Sequence, residues 1–479
     1  VRRGATAVVL AATALALAGC LVGPDYRAPQ PPAGAAAPFV SLAPTAERAV
    51  AAPDAWWRLY DDPRLDGYVR EAFAANRDLA VAEANLAAAR AVLDQARAGR
   101  YPSTELAAGA VRGRDPTTNE ILHLTGREPA TLWRFDDLLD VSYELDLFGR
   151  VRREIQAANA DAEAVAAARD AVKITIAAET ARAYAQICAL GEQLAVARRN
   201  LAVVSREAEI ATNRRKAGAG SEFEEVRAQT LVAQVGSAIP PLEGQRRAAL
   251  FELAALLGRT PSFAPQEAAS CAVPPALSQV IPVGDGTALI RRRPDLRQAE
   301  RRLAGATARV GVATAELYPR ITFTGFYGGA ATSIPNLGTN SGLVWGVGPA
   351  MTWAFPNQTL PRARLRQARA GQQAALAGFD AAVLEALKET EQALSGYAAE
   401  LEHDADLRQV QAKARRTYEL AHGQFLAGAT TQLDLLTAEQ ALVGADAAVA
   451  ASDSALVQDQ IAVFKALGGG WGEPPPARP

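Results

Sequence analysis

Apolar residues recur along this chain with two periods, and the changes of period mark its elements. Between Arg150 and Arg215 helix breakers are few, and Leu190, Leu194, Ala197, Leu201, Val204, Ala208 and Ala211 keep a 3-4 spacing. That seven-residue period predicts a long helix that supercoils against its neighbours. Its 66 residues extend roughly 100 Å at 1.5 Å per residue, and Arg362–Phe425 is nearly as long. A compact globule cannot bury stripes of such length, so these helices must lie side by side in a bundle, a coiled coil or a tube. Asp295–Leu317 and Thr431–Ala466 predict shorter helices of roughly 35 and 54 Å, which end to end nearly match a long one.

Elsewhere the period drops to two. In Phe135–Leu147 the odd positions are Phe135, Asp137, Leu139, Val141, Tyr143, Leu145 and Leu147, opposite an acidic face bearing Asp136, Asp140 and Glu144. In Leu343–Trp353 the odd face carries Leu343, Trp345, Val347, Met351 and Trp353 against small partners. Ile321–Tyr327 alternates with Thr322 and Thr324, and Ser103–Arg112 is the weakest of the four. Such alternation suits strands of a transmembrane barrel with lipid outside and water inside, or a half-buried sheet in a soluble domain. The barrel is favoured because the strands come as two pairs, each joined by a polar loop, Asp115–Arg134 and Thr332–Ser341. Asp136, Asp140 and Glu144 then line a lumen and predict a preference for cations, unless they only keep the pore wet. Tyr143, Tyr327, Trp345 and Trp353 are the lipid-interface aromatics. Pro349 lacks a ladder donor, so the membrane part of its strand should end near Gly348. Four strands cannot close a barrel, and an open edge in lipid leaves backbone groups unsatisfied, so copies of the chain must share it.

The chain is also a tandem repeat. Asp78–Pro102 lies over Asp295–Pro319 at a constant offset of 217, with 12 of 25 positions identical and a shared Tyr-Pro ending. An offset of 210 brings Glu179-Thr180 over Glu389-Thr390 and Ala217-Gly218-Ala219 over Ala427-Gly428-Ala429. The fold expected is mainly α, of the α+β class, with a helix, two strands and a long helix in each unit. Residues 56–286 form the first unit, with strands about 103–113 and 135–147, and 287–467 form the second, with strands about 320–331 and 342–353. Pro240-Pro241 should interrupt the last helix of the first unit and leave a waist collar over about 240–286.

Residues 1–19 read as a leader: Arg2 and Arg3, then an apolar run from Ala5 to Ala18, ending in Leu17-Ala18-Gly19-Cys20. This resembles a bacterial lipoprotein signal, in which the Cys20 thiol is acylated and becomes the mature N-terminus; an uncleaved anchor is the alternative. Leu21 favours sorting to the outer membrane. Residues 20–55 form a Pro/Ala-rich tether too rich in proline to build regular structure, and 468–479 form a tail. The net charge of −2 becomes −4 without Arg2 and Arg3, and no basic block suits a nucleic acid. Three histidines and three cysteines stand at no metal-ligand spacing, so no metal or other cofactor is expected apart from the lipid on Cys20. Cys188 and Cys271 are either two buried thiols or a periplasmic disulfide. No phosphate loop or nucleophile motif is present, so no catalytic residues are expected.

Gly23-Pro24-Asp25-Tyr26, Tyr143-Glu144-Leu145-Asp146-Leu147-Phe148-Gly149-Arg150 and Phe464-Lys465-Ala466-Leu467-Gly468-Gly469-Gly470-Trp471 together resemble the OprM/NodT branch of the TolC outer-membrane efflux family. The resemblance runs from residue 5 to 472. It implies a homotrimer with a 12-stranded transmembrane β-barrel on a 12-helix periplasmic α-barrel. It also implies an outer-membrane location, a periplasmic adaptor protein, and an inner-membrane pump, usually of the RND class. Relatives close the far periplasmic end with a ring of carboxylates, but the position two after Gly428 is Thr430 here. Glu222 and Asp434 are the substitutes, and the turns at Gly218 and Gly428 are the candidate gate and adaptor-docking tips. A channel for type I polypeptide secretion is the alternative within this class. A non-channel periplasmic coiled-coil lipoprotein is the alternative outside it, though it leaves the four alternating strands unexplained.

Overall fold

The computed structural model describes residues 21–469 apart from 42–45, 48–51, 115–119, 121–122, 127–130 and 278–279. In chain order its elements are α1 (Pro63–Ala75), α2 (Arg77–Ala98), β1 (Ser103–Gly113), β2 (Leu132–Leu145), α3 (Arg150–Lys216), α4 (Glu222–Gly236), α5 (Ile239–Leu256) and α6 (Gly286–Arg292). The second half supplies α7 (Pro294–Ala315), β3 (Arg320–Ala331), β4 (Leu343–Thr352), α8 (Thr359–Leu426) and α9 (Gln432–Ala466). The chain is thus mainly helical with a four-stranded sheet and, besides it, a two-residue parallel pairing of Ala46–Glu47 with Ile281–Pro282. The described residues divide into two compact units: 21–29, 86–165 and 299–379 make one, and 30–85, 166–298 and 380–469 the other.

The first unit holds the sheet, which is antiparallel throughout in the order β1-β2-β3-β4. Its central junction joins the two hairpins through β2 and β3, with Leu139 opposite Tyr327 and Tyr143 opposite Phe323. The outer strands β1 and β4 each keep one edge without a partner. Below the sheet the two repeats pack alike. Leu93 and Ala96 of α2 meet Ile155 and Ala158 of α3, while Val310 and Ala313 of α7 meet Leu365 and Ala368 of α8. Those four pairs are related by the sequence offsets, 217 for the short helices and 210 for the long ones.

Two expectations about this unit change, the end of β2 and the freedom of the tether. β2 ends at Leu145 rather than 147, because Asp146 turns to cap α3, accepting from the backbone N–H of Val151 and Arg152 at 3.0 Å each. β4 runs on past Gly348 to Thr352, and Pro349 stays in register opposite Phe323 because β4 is an edge strand, where a missing donor breaks no bond to β3. The described part of the tether is not a free leash. Val22 N–H donates to Phe148 O at 3.3 Å, and Tyr26 OH donates to Glu300 Oε1 at 2.7 Å.

In the second unit Trp56 stacks on Phe464 at 4.9 Å, and Trp57, Tyr60, Leu65 and Tyr184 are buried. Arg293 is itself buried and bridges three segments. It donates to Asp295 and Glu389 carboxylates at 2.7 Å each and to the Ala466 carbonyl at 3.0 Å. Val40 and Ser41 backbone N–H groups both donate to Glu391, so this stretch of the tether is also held. Near the ends of the long helices Val204 and Ala211 of α3, Leu231 and Val235 of α4 and Leu436 of α9 form one apolar core.

The interruption expected at Pro240-Pro241 falls slightly before the prolines. The helix breaks earlier, at Ser237-Ala238, and the prolines occupy the first turn of α5, where no intrahelical donor is required of them. Helix therefore runs to Leu256, and irregular chain with short 3-10 turns follows. Part of that segment is fixed covalently, because Cys188 of α3 and Cys271 form a disulfide across 83 positions of sequence. Both cysteines are buried, so the sulfurs are shielded as well as bonded.

Candidate functional site

The sheet presents two chemically distinct faces. Residues opposite one another share a face, so Leu106, Leu139, Val141, Tyr143, Leu145, Phe323, Tyr327, Trp345, Val347 and Met351 lie together. Trp345, Val347, Met351, Tyr327 and Leu106 are largely exposed, an arrangement that water does not stabilise in a finished surface. Just beyond β4, Trp353 stacks on Phe355 at 4.6 Å and donates from Nε1 to the Leu317 carbonyl at 3.1 Å. All four aromatics expected at an interface thus lie on this face or at its lower margin. Asp137 also falls on it, and its Oδ1 accepts from Gly329 N–H at 2.7 Å.

The opposite face carries the expected acids, but they are not equivalent. Glu144 is held by Arg150, whose Nε and Nη2 donate at 2.8 and 2.6 Å, and by Arg320 Nε at 2.8 Å. A carboxylate flanked by two guanidinium groups braces the base of the sheet and contributes little free negative charge. Asp136 lies 3.4 Å from Arg134 Nε. Asp140 stands directly opposite Glu105 of β1, so the register gathers two carboxylates at one level. Glu105 was not singled out by alternation, because its own strand is the least patterned of the four.

At the base of the same unit the chain after residue 20 is docked. Arg153, only 3% exposed, donates to the Val22 carbonyl at 3.2 Å, the Gly23 carbonyl at 3.2 Å and Asp25 Oδ1 at 2.9 Å. A Cβ on Gly149 would stand 2.3 Å from Leu21, and one on Gly23 would stand 2.5 Å from Gly311 Cα. Two of the motifs read as family marks, Gly23-Pro24-Asp25-Tyr26 and Phe148-Gly149-Arg150, are therefore neighbours in space. Cys20, the expected lipidation site, and residues 1–19 lie outside the described residues.

The helical tips in the other unit are built twice from one plan. Gly218 and Gly428 both have φ of 73°, with no atom within 4 Å of an added Cβ, so backbone conformation and not space requires glycine. Each closes its helix by paired carbonyl contacts: Gly218 N–H to Arg215 and Ala219 N–H to Arg214, Gly428 N–H to Phe425 and Ala429 N–H to Gln424. Reciprocal capping boxes then start the next helices, Ser221 with Glu224 and Thr431 with Asp434.

This alters the reading of Asp434. Its carboxylate accepts from Thr431 Oγ1 at 2.5 Å, Thr430 Oγ1 at 2.9 Å and Thr431 N–H at 3.1 Å. Those bonds, the Thr431 hydroxyl first, hold its pKa below the ordinary carboxylate value. Asp434 is a helix cap, and its repeat partner is Glu224, not Glu222. Glu222 sits at the first position of α4 with its side chain exposed.

A different acid near the tips escaped notice. Glu439 of α9 is 1% exposed, and neither carboxylate oxygen has a hydrogen-bond partner. Burial, and then the nearby Glu207 of α3, push its pKa up to about 7. Burial raises Glu207 as well, while His422 of α8 pulls it back. The signal was present: Glu439 occupies the apolar stripe Leu436, Glu439, Val443 at 3-4 spacing. Among the described residues no cluster of His, Cys, Asp and Glu could hold a metal, and no helix is long and apolar enough to cross a membrane.

Comparison with known proteins gives these surfaces a context. Residues 68–259 and 287–469 match the family model described as outer membrane efflux protein. The chain is 31% identical to the pyoverdine export outer membrane protein OpmQ of Pseudomonas putida, covering 94% of this chain and 96% of that one. It is also 31% identical to the outer membrane protein OprJ of Pseudomonas aeruginosa, over 98% and 97% of the two. The solved outer-membrane channel OprN superposes with a TM-score of 0.86 at 35% identity, covering 94% of this chain and all of that one.

Proposed function

Because this chain belongs to the outer membrane efflux protein family, we propose that it is the outer-membrane channel of an efflux system. It gives exported small molecules a passive, gated path across the periplasm and the outer membrane. The supporting observation is the sheet, which sets a greasy exposed face against a polar one and leaves both edges unpaired. A surface of that kind is stable with lipid on one side and water on the other. From Trp345 to Trp353 the eight residues of strand rise about 20 Å at the tilt usual in barrels, close to the height of an outer-membrane apolar band.

Closure needs further copies, and three of them, as in the family resembled, give twelve strands. Cys20 carries the lipid, and the docked Leu21–Asp25 segment holds that anchor at the base of the sheet. The tips around Gly218 and Gly428 face the periplasmic adaptor, and the inner-membrane pump supplies both energy and substrate choice. The chain itself performs no chemistry.

Planar-bilayer recording tests the reading. Purified assemblies should conduct as stable pores, and a cation preference should weaken in Asp140→Asn and further in Asp140→Asn with Glu105→Gln, read as a shift in reversal potential. Protein that inserts into bilayers without conducting, or that remains monomeric in water after removal of its acyl group, would refute the channel.

A further inference from the structure

Ion pairs between α8 and α9 recur every seven residues. Arg408 of α8 bonds Asp453 of α9, and one heptad on Arg415 Nη2 lies 3.3 Å from Asp446 Oδ1. In both pairs the residue numbers add to 861, as they must for antiparallel helices held in one register. The first repeat keeps that register. Arg198 of α3 donates to Glu243 of α5 at 2.7 Å, and each number is 210 below its counterpart in Arg408–Asp453.

One heptad further, towards the tips, the same register sets His422 opposite Glu439. This third rung keeps the order of the other two, a base on α8 and an acid on α9. Its base, however, can lose its charge near neutrality, as an arginine cannot. The equivalent rung of the first repeat is Thr212 opposite Gln229, which has nothing to titrate. There Thr212 Oγ1 and Gln229 Nε2 both donate to Glu225 Oε1, at 3.0 and 3.2 Å. The fold therefore accepts a neutral rung at this level, and the second repeat places a titratable one in it.

The surroundings sharpen the difference. Asp446 also accepts from Gln411 Nε2 at 2.8 Å, whereas enclosed Glu439 has no partner at either oxygen. Facing Glu439 are Glu207 from α3 and Tyr418 and His422 from α8. α4 meets this end of α9 through Leu231 and Val235 at Leu436, and its own acid, Glu225, is paired with Arg215 of α3. The two tips are neighbours here, since the Arg214 guanidinium lies 5.1 Å over the Phe425 ring. Two enclosed carboxylates beside a neutral histidine leave two negative charges uncompensated, which helix packing tolerates poorly. We propose that Glu207, His422 and Glu439 form a proton-operated latch that fastens the α8–α9 tip to α3. Protons held there keep the two tips together, and their loss as pH rises lets the second tip move away. Parting wets Glu439 and returns it to ordinary carboxylate behaviour, so closing binds a proton and a rise in pH favours opening. This specifies how the gate of the proposed channel is set, and rests on that reading.

Bilayer recording and spin labels test the latch on the full-length protein. For one proton released, the opening equilibrium should rise by up to about a hundredfold between pH 5 and pH 8. Glu439→Gln, which takes the residue of the first repeat, and His422→Arg, which completes the arginine series, should each cut that rise below about tenfold. His403→Gln, at an exposed histidine elsewhere on α8, should leave it intact. Labels on Lys216→Cys and Gln424→Cys, one exposed position at each tip, should separate over the same pH range and stay together in the two latch variants. Cys188 and Cys271 are bonded to each other and take no label. Labels that keep one distance from pH 5 to pH 8, or a pH response unchanged in both latch variants, overturn the latch. A protein that never conducts while its labels still separate with pH overturns the channel and leaves the latch standing.

Discussion

Replacing Glu439 by Gln should stabilise the protein in a pH-dependent way. The side chain is almost wholly enclosed, and both its oxygens lack partners. Enclosure, with Glu207 facing it from α3, lifts its pKa from the ordinary 4.5 to about 7. The groups around the pair are Glu207 from α3 and Tyr418 and His422 from α8. Between those two pH values the folded state binds more protons than the unfolded one, so folding is favoured at low pH. The contribution is fully present below 4.5, declines as pH rises, and is lost once pH passes about 7. At 1.36 kcal/mol per pH unit the interval amounts to at most about 3 kcal/mol, less whatever relaxation or entering water recovers. Glutamine matches the protonated acid and has no charge to lose. Urea midpoints at pH 5 should therefore be similar for the two proteins, and at pH 8 the Glu439→Gln protein should resist unfolding by up to about 3 kcal/mol. Glu207→Gln should recover a smaller part of the same gain. Parallel pH profiles for wild type and Glu439→Gln would refute the argument, because an acid already ionised and solvated when folded has nothing to lose.

The remaining predictions concern the tips, the docked segment and the disulfide. Gly428→Ala and Gly218→Ala should each destabilise the helix turn by about 1 kcal/mol, with Asn milder, seen as faster amide exchange in the flanking turns. Gly428→Asp should reduce export in cells while assembly is retained; undiminished export would remove this tip from adaptor docking. Arg153→Ala removes a buried guanidinium holding two carbonyls and Asp25, at a cost of about 3 kcal/mol, and should open residues 21–29 to protease with Arg153→Lys intermediate. Cys188→Ala with Cys271→Ala removes a link across 83 positions and should lower stability by about 3 kcal/mol, a loss that reduction of the native protein should reproduce.

What could be read from the sequence was whatever repeats locally. The helix read from Arg150 to Arg215 is Arg150–Lys216, and the one read from Arg362 to Phe425 is Thr359–Leu426. A 3-4 pattern sustained that long has no competing conformation. The strands were legible from alternation, and their ends were not, because capping decided them: Asp146 turns from strand partner to helix cap within one residue. Side-chain partnerships across long separations left no trace in period or spacing. Nothing local distinguishes Arg153 from its neighbours in Arg150-Val151-Arg152-Arg153, yet it alone is buried against the segment after Cys20. Likewise Glu144 belongs to an acidic face by alternation, but two arginines from different segments claim it.

The tips show one local rule at work in both repeats. The family resemblance leads to the expectation of an acid two positions after Gly428, where Thr430 stands, with Glu222 and Asp434 as its substitutes. Both repeats, however, need an acid three residues after the capping hydroxyl to start the next helix, which accounts for Glu224 and Asp434 without a gate. An acid that already accepts three hydrogen bonds has little capacity left to grip a neighbouring helix. The enclosed pair Glu207 and Glu439 lies farther along the same helices, and both carboxylate oxygens of Glu439 lack a hydrogen-bond partner. Burial favours the protonated form of Glu439 inside the helix packing, and opening that packing to water would favour release of its proton.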